Sequence, residues 1–162
     1  MMKAKVKIMF AVMLGLVFMN TSCGAQCGNK QSEVKEQKEA SEKKFVKELS
    51  LEGFKKNIMD YEANPKSWNF KGERPAVIDF YAVWCGPCKV TAPIFESLAG
   101  EYDGKIDFYK VDVDKQQELA AMFGIRSIPS LLFIPKKGDP DMKVGAMNRA
   151  DLESAIKSVL LK

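Results

Sequence analysis

The chain has 162 residues, room for one ordinary domain plus a tail. Its hydrophobic fraction of 46% is that of a globular protein, and its net charge of +4 comes from interspersed basic and acidic residues. No lysine–arginine stripe is interleaved with aromatics, which argues against nucleic acid as a partner, and the absence of histidine excludes any Cys/His metal site.

In chain order, Lys3, Lys5 and Lys7 precede a short apolar run from Ile8 to Met19, followed by the small and polar residues Asn20 to Ala25. This is the layout of a secretory signal over residues 1–25. The run falls short of the roughly 20 apolar residues a membrane span needs. Cys23, between Ser22 and Gly24, sits where a bacterial lipoprotein signal keeps its lipidated cysteine, although Asn20 stands where that motif usually has leucine. Ordinary cleavage after Gly24 or Ala25 is the second reading; it discards Cys23 and leaves Cys27 as a spare thiol near the mature N-terminus. Both readings predict export, to the periplasm or to a membrane face turned towards it, with membrane contact only through an N-terminal lipid. Residues 26–43 are polar and highly charged, unable to bury a core, and read as a flexible tether. A lone exposed helix is the competing reading of that stretch.

A folded domain is predicted over residues 44–162. Phe45–Leu49 alternates as an edge strand, and Ser50 caps a helix running from Leu51 to about Tyr61. A long loop from Glu62 to Pro75 carries Trp68 and Phe70, which read as a satellite cluster. Ala76–Tyr81 is a buried strand interrupted by one carboxylate, Asp79. A helix follows to about Tyr102, with Pro93 predicted to kink it. Lys105–Asp112 reads as a strand and Gln116–Phe123 as a short helix. Ser130–Ile134 and Met142–Ala146 form a hairpin pair, and Asn148 caps a last amphipathic helix bearing Leu152, Ile156, Val159 and Leu160. Alternating strands and helices followed by an antiparallel pair predict an α/β domain with a mixed central sheet between helices.

The chemistry concentrates in Trp84-Cys85-Gly86-Pro87-Cys88-Lys89, where the strand gives way to the helix. A Cys-x-x-Cys at a helix start, beside a βαβ pattern, reads as a reversible dithiol/disulfide pair. Unpaired N–H groups and the helix dipole there favour a thiolate, so Cys85 is expected to be the exposed, more acidic nucleophile. Half of a zinc site is the competing reading, but only Cys23 and Cys27 remain as partners, in the signal-like segment. No metal is therefore expected. A purely structural bridge is disfavoured, because so short a loop constrains the unfolded chain little. Asp79, costly to ionise among Val77, Ile78 and Phe80, is expected to have a raised pKa and to take the proton of Cys88. A solvent-facing carboxylate is the plainer alternative.

Three blocks resemble the thioredoxin family in its order and spacing: Val77–Lys89, Phe123–Phe133 and Val144-Gly145-Ala146. Tyr81 departs from the tryptophan that many members carry. The resemblance implies a central mixed five-stranded sheet flanked by four helices, with a cis peptide bond before Pro129. It also implies a shallow substrate groove made by Trp84, Gly86, Pro87, Val113, Ile128, Gly145 and Ala146, and places Lys110 near Asp79. It implies thiol–disulfide exchange on protein disulfides by a monomer that needs no cofactor, the redox centre being its own Cys85–Cys88 pair. Gly-Pro between the cysteines points to a reductase, fed outside the cytoplasm by a membrane thiol–disulfide electron donor. A disulfide oxidase or isomerase and a non-catalytic binding module are the competing functions.

Overall fold

The computed structural model describes residues 44–63 and 67–161; the signal and tether readings, Cys23 and Cys27 lie outside the described residues. The elements are β1 (Val46–Glu48), α1 (Leu51–Asn57), β2 (Ala76–Tyr81), α2 (Gly86–Glu101), β3 (Asp107–Asp112), α3 (Gln117–Met122), β4 (Ser130–Ile134), β5 (Asp141–Val144) and α4 (Arg149–Ala155). A π-helical turn, Ile156–Leu160, prolongs α4. The five strands lie in the order β1-β3-β2-β4-β5. β1, β3 and β2 run parallel, whereas β4 is antiparallel to β2 and β5 to β4. This is the mixed five-stranded sheet with four flanking helices that the resemblance implied.

Side-chain alternation sorts the sheet into two cores. Val46, Val77, Phe108, Leu131 and Phe133 point to one face, where Phe95 and Leu98 of α2 and Leu152 and Ala155 of α4 cover them. Ile78, Phe80, Tyr109, Val111, Leu132 and Ile134 point to the other, under Phe54 of α1 and Leu119 of α3. Buried side chains of this size are each worth about 1.5–3 kcal/mol of transfer free energy. The same alternation fixes the polar residues. Asp79 and Tyr81 share the parity of Val77, Lys110 that of Phe108, and Glu48 that of Val46, so all four belong to the α2 face.

Several boundaries differ from the sequence reading. α1 stops at Asn57, four residues before Tyr61, because the chain turns to sink Ile58 and Met59 into the core and the Ile58 carbonyl accepts from the Lys71 N–H. β3 begins at Asp107, since the Lys105 and Ile106 N–H groups both return to the Tyr102 carbonyl. β5 covers Asp141–Val144, which leaves Gly145 and Ala146 beyond its end. The last helix widens into a π turn that still buries Ile156 and Leu160. The Ser50 and Asn148 caps form as expected: Ser50 Oγ accepts from the Gly53 N–H at 3.1 Å and Asn148 Oδ1 from the Asp151 N–H at 3.0 Å. α2 continues through Pro93 as a single element. Trp68 and Phe70 pack against the α1/α3 core, and Trp68 meets Phe123 edge-on at 6.4 Å.

Candidate active site

β2 ends where α2 begins, and that junction builds the site. The Val113 N–H donates to the Tyr81 carbonyl at 2.9 Å, pinning the loop after β3 to the end of β2. The Cys85 N–H donates to the Ala82 carbonyl at 3.1 Å and closes the turn. Cys85 is the N-cap of α2, in extended backbone, and its Sγ accepts from the Cys88 N–H at 3.1 Å. Pro87 fills the first turn, where an N–H would have no helical acceptor. Cys85 and Cys88 are joined as a disulfide, their Cα atoms 5.3 Å apart.

The sequence reading made Cys85 the exposed thiol. In the oxidised protein it is not: Cys85 and Cys88 are each 3% exposed. The bonded pair packs with Ala82 and is covered by Tyr81, Val113 and Ile128. Trp84 is the exposed feature, at 67%, and its Nε1–H donates to Asp114 Oδ2 at 2.8 Å. Gly86 and Pro87 are exposed beside it.

The Ile128–Pro129 bond is cis, as the resemblance implied. Ser130 Oγ donates to the Ser127 carbonyl at 2.7 Å, closing the turn around it. The Pro129 carbonyl accepts from the Gly145 N–H at 2.8 Å. Gly145 does so with φ of +102°, a conformation that a side chain resists. Ile128 and Val113 are thus brought onto the disulfide, and Gly145 and exposed Ala146 onto the neighbouring proline loop.

Asp79 is 4% exposed, which removes the solvent-facing alternative, and its Oδ1 has no hydrogen-bond partner. Burial pushes its pKa up to about 7, against a smaller opposing pull from Lys110. Asp79, Cys88, Lys110, Tyr81 and Phe95 line one cavity of about 220 Å³. The buried carboxyl and the inner cysteine therefore face a common space large enough for water. Lys110 is the register neighbour of Asp79, but its Nζ turns to Glu48 Oε1 at 3.3 Å and lies 5.4 Å from the centre of the Tyr81 ring. The Tyr81 hydroxyl donates to the same Glu48 oxygen at 3.3 Å. Burial and the nearby Glu48 and Asp112 carboxylates push Tyr81 up to about 12, so it keeps its proton.

A helix-capping Cys-Gly-Pro-Cys disulfide beside a cis-proline loop on this sheet is one half of the comparison; the other is the sequence pattern of the thioredoxin family, which matches residues 45–158. The chain belongs to the thioredoxin family. It is 50% identical over 109 residues to thioredoxin of Borreliella burgdorferi, covering 67% of this chain and 92% of that one. It is 33% identical over 113 residues to thioredoxin of Synechocystis, covering 70% and 95%. Among solved structures, thioredoxin of Malassezia sympodialis superposes with a TM-score of 0.55 at 37% identity, over 70% of this chain and 90% of the other. Chloroplastic thioredoxin z gives 0.58 at 27% identity, over 70% and 92%. This thioredoxin-family chain is an oxidoreductase that carries out thiol–disulfide exchange through Cys85 and Cys88.

Sequence reading passed over two polar residues of the site: Asp114 fixes Trp84, and Glu48 holds Lys110 and accepts from the Tyr81 hydroxyl. Neither has a local signal. Each acts on a residue about thirty to sixty positions away, and only the folded sheet and its loops bring them together.

Proposed function

We propose that this protein is a disulfide reductase exported from the cytoplasm, acting on disulfide-bonded proteins and recharged by a membrane thiol–disulfide donor. The observation that carries the direction is Gly86-Pro87 between the cysteines, where strong oxidants and isomerases of this fold typically place a histidine. Export rests on the Lys3–Ala25 signal pattern, and a lipid on Cys23 is one of its two forms. The chemistry runs through named atoms. Cys85, as thiolate, attacks one sulfur of the substrate disulfide; the substrate S–S bond breaks and one substrate thiolate leaves. Cys88 gives its proton to ionised Asp79 through the shared cavity and attacks Cys85 Sγ. The mixed disulfide breaks, the second substrate thiolate leaves, and the pair ends oxidised with two electrons passed to the substrate. Ile128, beside the cis bond, offers backbone for an extended substrate segment to pair with. Trp84, Gly86, Pro87, Val113, Gly145 and Ala146 form the surrounding groove.

The test is the reduction potential of the Cys85–Cys88 pair in defined thiol buffers. A value around −270 mV, the established figure for thioredoxin rather than one worked out from this structure, supports the reductase. A value between about −120 and −180 mV makes the protein a disulfide donor instead. N-terminal sequencing of the native protein tests export: a chain beginning at Met1 ends that part of the proposal.

A further inference from the structure

The pairing of three strands places Glu48, Lys110 and Asp79 in one row across the sheet. Glu48 is the register partner of Lys110, and Lys110 of Asp79. The alternation of each strand puts all three on the face covered by α2. The row continues through uncharged Leu131 of β4 to Lys143 of β5, whose ammonium pairs with Asp141 at 2.9 Å. The cation beside Asp79 is committed outward. Lys110 Nζ pairs with Glu48 Oε1 at 3.3 Å, and the Tyr81 hydroxyl donates to that same oxygen. Asp79, at the inner end, keeps an unpartnered oxygen.

We infer that Glu48 is a positioning residue for the dithiol site: with Tyr81 it holds and neutralises the Lys110 ammonium, and so sets how strongly that ammonium favours the ionised form of Asp79. Coulombic attraction between Lys110 and the buried Asp79 carboxyl is felt more strongly than between two charges in bulk water. With Glu48 paired to it, Lys110 presents Asp79 with a dipole. Without the Glu48 charge, it presents a full cation. The other charged groups facing Asp79 are Lys89 and Glu96 of α2, both exposed and of opposite sign. Tyr81 of β2 stays protonated and adds no charge. Asp112, at the end of β3, pairs with Lys115 at 3.1 Å. This inference rests on the Asp79 role proposed above, but it concerns which state Asp79 occupies, which can be read without turnover.

The experiment is a titration of the Asp79 carboxyl by carbon NMR in the oxidised protein, for the wild type, Glu48→Gln, Lys110→Met and the double variant. Gln keeps the acceptor for Lys110 and Tyr81 and removes only the charge, and the Glu48 side chain is 54% exposed, so the fold tolerates it. Glu48→Gln is expected to lower the Asp79 midpoint by about half a pH unit, a fraction of the roughly one to three units that a direct carboxylate–cation contact produces. In the Lys110→Met background the same substitution is expected to give a clearly smaller fall, because the Glu48 charge still acts on Asp79 directly but no longer holds an ammonium away from it. A rise, no change, or an equal fall in both backgrounds overturns the inference. The pH profile of substrate reduction is measured on the same four proteins. A profile that follows the midpoint supports both readings. A midpoint that moves while the profile stays fixed supports the positioning by Glu48 and overturns Asp79 as proton acceptor.

Discussion

Asp79→Asn is the substitution from which the buried carboxyl can be weighed. Asparagine keeps the size and polarity of the protonated acid and can carry no charge. In the folded protein Asp79 holds its proton to about pH 7, whereas the unfolded chain releases it near 3.8. Between those values the folded state binds the extra proton, so stability falls as pH rises. The stabilising contribution is present in full below the unfolded value and lost in full above the folded one. The interval from 3.8 to about 7 corresponds to about 4 kcal/mol, at about 1.36 kcal/mol per pH unit. The variant lacks this loss. Its stability relative to wild type is therefore expected to climb by about 4 kcal/mol between about pH 4 and about pH 8 and then level off. Urea unfolding of the two oxidised proteins across that range measures it, and all other titrations cancel in the difference. A difference constant to within about 1 kcal/mol would refute the assignment of a destabilising buried charge.

The same variant is expected to slow reduction of a protein disulfide more at neutral than at alkaline pH, since hydroxide replaces the missing proton acceptor; a rate ratio flat with pH in an insulin-turbidity assay rules that role out. Gly145→Val is expected to cost about 1–3 kcal/mol, because a β-branched residue is forced to φ of +102° where the N–H must still reach Pro129; an unchanged urea midpoint contradicts it. Asn148→Ala removes the acceptor for the Asp151 N–H and should cost about 1 kcal/mol, read from the same unfolding curves. Phe108→Ala, which empties the centre of the α2/α4 core where Phe95 packs edge-on at 5.0 Å, should cost about 3–5 kcal/mol.

The strands with strong alternation or continuous apolar character were legible from the sequence: β2 and β4 occupy the predicted residues, and the two side-chain caps stand where Ser50 and Asn148 announced them. Elements failed at their ends, where a tertiary contact outweighs local preference. Ile58 and Met59 are good continuations of a helical pattern, yet more apolar surface is buried by turning them under the sheet. The disulfide pair and Asp79 could be placed because each departs from its surroundings, two cysteines at a helix start and a charge inside an apolar strand, whereas the cis bond before Pro129 came from the family resemblance alone. The burial of Cys85 was not legible, because its cover comes from Val113 and Ile128, on loops that follow other strands. Glu48 looked like one more charge on an edge strand until β3 was set beside it.

Both outer strands are short and charged. β1 offers three residues, with Lys47 and Glu48 exposed, and β5 four, with Lys143 paired to Asp141 at 2.9 Å. Such borders are poor templates for a foreign chain, because few backbone groups are free and each approach must strip water from an ammonium or a carboxylate. A chain with an open sheet at both sides risks growing that sheet with any extended polypeptide it meets. Here both flanks discourage such lateral stacking and leave the dithiol end as the face open to partners.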